Sequence, residues 1–156
     1  MKKKIFLLAV SCIFGMSALF ATGLGIQGGT DVANSGTNSI DVTFKLNKSP
    51  LIFAVGIPSF DPLSIGVTGD YWLVNDNLAG PVNYFVGIGG FTSLYIDDDT
   101  FGLTVGPRLP IGLNTFFAKN VLELYIQMAP GFAITINNGI TNNFVCPLNC
   151  GLRAWF

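Results

Sequence analysis

Read by twos, the segment SIDVTFKL (39–46) sets Ser39, Asp41, Thr43 and Lys45 against Ile40, Val42, Phe44 and Leu46. Strict alternation of this kind marks a β-strand with two different faces. The same period returns in LSIGVTGDYWL (63–73), FGLTVGPRLPIGL (101–113) and LELYIQMAPGF (122–132), with Leu, Ile, Val and Phe on one face and Gly, Thr, Arg and Gln on the other. Beyond residue 21 no stretch carries a convincing helical period. The clusters NKSP, SFDP, NDNLAGP, DDD and TNNFVCP supply turn-forming residues between the alternating runs. Together these signals predict eight strands, near 22–31, 37–46, 51–58, 62–74, 82–96, 100–113, 121–134 and 148–156. Most exceed the five or six residues of an average globular strand and approach the ~9–11 that cross hydrocarbon when tilted. The expected fold is all-β: an eight-stranded antiparallel up-and-down transmembrane β-barrel.

Composition sharpens this reading. Half of the 156 residues are apolar and only 17 are charged, too few for an ordinary water-facing surface. Residues 1–21 divide into three lysines, an apolar run and a small residue, the layout of a secretory signal peptide cut after Ala21. Cys12 then reads as an ordinary core residue of that signal. Residues 22–156, the expected barrel domain, keep five bases and nine acids, a net charge of −4. With no basic patch, nucleic-acid binding is not expected.

Alternation alone does not say which face meets solvent. The polar face is rich in glycine and poor in charge, which suits the narrow interior of an eight-stranded barrel. Its charges cancel: Asp41, Asp70 and Glu123 against Lys45, Arg108 and Arg153. Buried charges must be paired, so the expectation is one layer of interior ion pairs in the half nearer the chain ends. On the apolar face, Phe44, Phe53, Tyr71, Tyr84 and Phe156 are expected to form an aromatic girdle at one membrane interface. A soluble lipocalin-like carrier would reverse the faces, and the sparse charges weigh against it.

The last segment is apolar at every second position, Leu148, Cys150, Leu152, Ala154 and Phe156. It resembles the C-terminal signal of bacterial outer-membrane barrels, read there by the insertion machinery; Leu152, Ala154 and Phe156 carry the likeness. In architecture the whole of 22–156 resembles the small OmpA-like, OmpX-like and OmpW-like barrels, without the peptidoglycan-binding domain of full-length OmpA. PRLPIGL (107–113) and GLRAWF (151–156) look like segments of an uncharacterised family of small spirochaetal outer-membrane barrels. The resemblance implies an integral outer-membrane protein, a monomer, acting as an envelope scaffold or surface-interaction protein. Its expected partners are outer-membrane lipid, the barrel-insertion machinery, and a host or envelope protein at the loops. A narrow channel for ions or small solutes is the alternative.

Little else in the chain points to chemistry. GLGIQG (23–28) matches the dinucleotide fingerprint, but no helix follows to meet a pyrophosphate, so the glycines read as small inward residues of the first strand. The chain has no histidine, which removes Ser-His-Asp catalysis and histidine-ligated metals. Neither an enzyme nor a cofactor is expected. Asp97, Asp98 and Asp99, with Asp31 and Asp61 on the same side, read as a solvated acidic rim rather than a calcium site. Cys146 and Cys150, if both lie in one regular strand, are about 13 Å apart, beyond disulfide reach; two free thiols are expected.

Overall fold

The computed structural model describes residues 22–34, 38–46, 49–60, 63–97, 100–137 and 139–156. Residues 1–21, where a signal peptide is expected, and the acidic residues Asp61, Asp98 and Asp99 lie outside them. The strands are β1 (Thr22–Asp31), β2 (Asn38–Leu46), β3 (Leu51–Phe60), β4 (Leu63–Ala79), β5 (Val82–Asp97), β6 (Thr100–Arg108), β7 (Ile111–Phe117), β8 (Leu122–Met128), β9 (Gly131–Ile136), β10 (Ile140–Val145) and β11 (Pro147–Trp155). β6 with β7, β8 with β9, and β10 with β11 are halves of three interrupted strands, so the wall has eight staves, as the period predicts. Every pairing is antiparallel, and β11 joins β8 to β1 to close the sheet.

The interruptions fall at prolines. Pro110, Pro130 and Pro147 have no N–H to give, but their carbonyls accept from Gly87, Leu109 and Ala129 on the neighbouring stave at 2.8, 2.9 and 2.9 Å. The ladder therefore continues on one side while the strand bends, which is how proline is tolerated inside a sheet. Two segments expected to be turns are strands. Asn142 and Asn143 pair with Ile134 and Ala133 of β9, and Asn75–Asn77 pairs with Asn83–Phe85 of β5. Cross-strand hydrogen bonding outweighs the local turn preference of asparagine there.

Register fixes the geometry. Gly23 is level with Lys45, and then in turn with Ile52, Asp70, Gly89, Arg108, Gly131 and Val145 around the wall. Because Asp31 is level with Pro147, Val145 meets β1 near position 33. One circuit therefore climbs about ten residues, which with standard strand spacings tilts the staves by about 40°. Thr22, Phe156 and the turns near 80 and 119 lie at one rim; Asp31, Asn38, Phe60, Leu63, Asp97, Thr100, Ile136 and Ile140 end their strands at the far rim.

The polarity is that of a lipid-facing barrel. Among the described residues 28 large apolar side chains are exposed, from Ile26 to Phe156, whereas Lys45, Asp70, Arg108, Glu123 and Arg153 are buried. Inward glycines stand beside the large inward side chains: a Cβ at Gly151 would run into the Tyr125 ring, one at Gly112 into Phe85 and one at Gly102 into Tyr95. Replacing Gly151 by Val overfills this layer and should destabilise the folded barrel by about 1–3 kcal/mol in urea titrations from detergent. Gly80, in a left-handed turn (φ 54°) with open space around it, should accept Asn within about 0.5 kcal/mol.

Candidate functional site

The interior is built from rows of register partners in which glycine lets side chains from non-adjacent staves meet. Asp70, Gly89 and Arg108 share one row. Across the gap at Gly89, Arg108 donates from Nε to Asp70 Oδ1 at 2.8 Å and from Nη2 to Oδ2 at 2.5 Å, a bidentate pair in which both residues are buried. Lys45 and Trp155 flank Gly23. Thr43, Gly25, Arg153 and Glu123 form the next row, and Asp41, Gln27, Gly151 and Tyr125 the one above. The β1 pattern GLGIQG is thus explained by its inward positions 23 and 25, over which neighbouring side chains pass.

Glu123 is the centre of the floor and has no solvent exposure. Its Oε2 accepts from Arg153 Nη1 at 2.8 Å and from Trp155 Nε1 at 3.0 Å; Oε1 accepts from Asn114 Nδ2 at 2.8 Å and lies 4.0 Å from Lys45 Nζ. Aromatic rings hold the two cations from the other side. Lys45 Nζ sits 3.6 Å from the Trp72 ring centroid, Trp72 stacks on Phe85 at 3.8 Å, and the Arg153 guanidinium lies 4.5 Å from the Tyr125 centroid. Above this, Tyr125 Oη donates to Gln27 Oε1 at 2.9 Å, and Gln27 Nε2 donates to Asp41 Oδ2 at 2.9 Å.

All six charged residues singled out by alternation face the interior, but they do not pair one to one. Glu123 takes two cations, Arg108 takes Asp70, and Asp41 has none within ion-pair distance among the described residues. Asp41 is held by Gln27 and by Ser39 Oγ (3.2 Å) instead. The reason is depth. Asp41 stands four residues up β2 from Lys45, on the row of Gln27 rather than that of Gly23. Asn114, Trp155, Trp72 and Tyr125 complete the floor and were not singled out. Carrying the alternation past Leu113 would have turned Asn114 inward, and the parity of Arg153 does the same for Trp155.

The aromatic set lies on the outer face. Phe44 and Phe53 are register partners, and Tyr71 is level with Ile88, four residues up β5 from Tyr84. Leu152 and Ala154 pair with Ile26 and Leu24 of β1 on one side and with Leu124 and Leu122 of β8 on the other, and Phe156 is exposed beyond them. Cys146 is buried between β10 and β11, Cys150 is exposed, and both are free thiols. Asp31 caps the far end of β1, accepting from the N–H groups of Ala33 and Cys146 at 2.9 Å. From this arrangement Glu123→Gln, which strands two buried cations, should cost about 3–5 kcal/mol in equilibrium unfolding. Asp41→Asn removes no ion pair and should cost about 1 kcal/mol or less.

No family model and no curated protein matches the chain. The crystal structure of Neisserial surface protein A is similar in fold, with a TM-score of 0.51 and 17% identity over 88% of this chain and 97% of that one. The N-terminal β-barrel domain of Pseudomonas aeruginosa OprF gives a TM-score of 0.48 and 12% identity over 85% of this chain and 96% of that one. Neither supports the narrower likeness of residues 107–113 and 151–156 to a spirochaetal family. The fold is a closed eight-stranded antiparallel β-barrel like that of Neisserial surface protein A.

Proposed function

We propose that the protein is an integral barrel of a bacterial outer membrane, exported by residues 1–21, monomeric, and acting as a lipid-anchored scaffold whose far-rim loops meet an envelope or host protein. The observation that carries this reading is the inverted polarity: exposed Ile26, Ile40, Ile65, Leu124 and Ile126 surround a floor in which Glu123 and Arg153 are almost wholly buried. A wall of that kind is stable in hydrocarbon and not in water. The same distribution speaks against a soluble carrier with its apolar face inside. On this reading the outward Leu152, Ala154 and Phe156 of the closing strand serve the insertion machinery.

A narrow channel is the weaker reading, because Glu123 and its four partners reach across the barrel from β2, β7, β8 and β11. An eight-stranded barrel filled by side chains leaves no diffusion path. Spin labels test the membrane reading: in a background lacking Cys146 and Cys150, labels at Val42 and Leu124 should be reached by dissolved oxygen and shielded from a water-soluble nickel chelate. The opposite accessibility would refute it. In planar bilayers the protein should give no steady conductance steps, and reproducible steps would turn the reading to a channel.

A further inference from the structure

Above the floor the interior opens towards the far rim into a cavity of about 300 Å³. Part of its wall is one register row, Gln27, Asp41, Gly66, Ser93, Thr104 and Thr135, with Gly56 between Asp41 and Gly66. Gly56 has no side chain, and the Asp41 carboxylate lies over it where a Cβ would stand, while Pro58 lies over Gly66. Hydroxyl groups follow, with Thr104 and Thr135 hydrogen-bonded to each other at 2.9 Å.

The charges in this space do not balance. Arg108 lines the cavity, but its bidentate bond to Asp70 neutralises it. Asp31 also lines it and is taken up by the backbone N–H groups it caps. Asp41 accepts two neutral donors on Oδ2 and has no cation within ion-pair distance among the described residues. Asn149, another lining residue, is 3% exposed. The floor below has the opposite imbalance, one carboxylate to two cations. Negative charge is therefore in excess on the side that opens outward and positive charge on the side that is closed. A cation entering from the far rim is attracted by Asp41 and repelled by the floor, so it is held and not passed on. A charged group inside a membrane barrel without a charged protein partner is a candidate ligand site.

We infer that this cavity binds a small organic cation that carries hydroxyl groups, of the size of a protonated amino sugar. A bare divalent ion is the poorer fit, since it needs six or more oxygens and Asp41 offers one uncommitted carboxylate oxygen. An ammonium group has three donors, which Asp41 and the neighbouring hydroxyl and amide oxygens can take, and the remaining hydroxyls match those of Ser93, Thr104 and Thr135. This goes beyond the scaffold reading and is independent of what the loops meet.

The test is calorimetric titration of the detergent-folded protein with glucosamine, at a pH where its amine is protonated, and with neutral N-acetylglucosamine. Glucosamine should bind saturably at one site per chain, and the N-acetyl compound at least about tenfold more weakly. Asp41→Asn should lose at least about tenfold in glucosamine affinity, while Asp76→Asn, on the β4–β5 hairpin outside the cavity, should bind as the parent does. Heat-modifiable gel migration reports whether each variant is folded. If Asp41→Asn does not fold, Ser93→Lys places a cation in the cavity with Asp41 intact and should bring the same loss. Absence of saturable glucosamine binding, equal binding of the two sugars, or undiminished binding by a folded Asp41→Asn or Ser93→Lys variant would each overturn the inference.

Discussion

Everything in this molecule depends on the sheet closing on itself. In hydrocarbon an unpaired backbone N–H or C=O costs several kcal/mol, and a strand with a free edge has a row of them. The pairing of β1 with β11, from Gly23 opposite Trp155 to Asp31 opposite Pro147, removes that edge through the body of the wall. It also fixes the stagger of about ten residues per circuit, and through it the tilt. Once the stagger is set, every inward side chain belongs to a particular row, and the rows decide which charges can meet.

Space in the interior is the second constraint. Eight tilted staves enclose a bore about as wide as one layer of large side chains, so each long residue needs an empty position beside it. Glycine supplies these positions. Gly89 lets Arg108 reach Asp70, Gly23 lies between Lys45 and Trp155, and Gly151 makes room for Tyr125. The prolines act on the backbone in a complementary way: Pro110, Pro130 and Pro147 interrupt three adjacent staves, yet their carbonyls keep the ladder connected. Glycine content that would weaken an ordinary sheet here serves packing, because β-branched or aromatic residues at the same positions would collide across the bore.

The interior charge arrangement follows from these rows and differs from a simple neutral layer. Arg153 is directly opposite Glu123, and Lys45 reaches the same carboxylate with Trp72 at its back. The floor is thereby tied across β2, β7, β8 and β11, with each cation held by both a carboxylate and a ring. Asp41, two rows higher, is left to neutral partners. The interior is closed at one end by this floor and opens at the other into the cavity above it.

The alternation along the chain was enough to specify strands, their two faces, the even number of staves and the inward direction of Asp41, Lys45, Asp70, Arg108, Glu123 and Arg153. It was enough because a β-strand turns each successive side chain to the opposite face whatever lies around it. It did not specify the strand at 140–145, where asparagines that favour turns by themselves are held extended by β9. Nor did it specify which acid meets which base, because that depends on register between segments far apart in sequence, and a shift of two residues moves a carboxylate to a different row. The tertiary structure alone decided that, among the described residues, Glu123 gathers two cations while Asp41 gathers none, since only closure of the barrel brings β2, β8 and β11 to their relative depths.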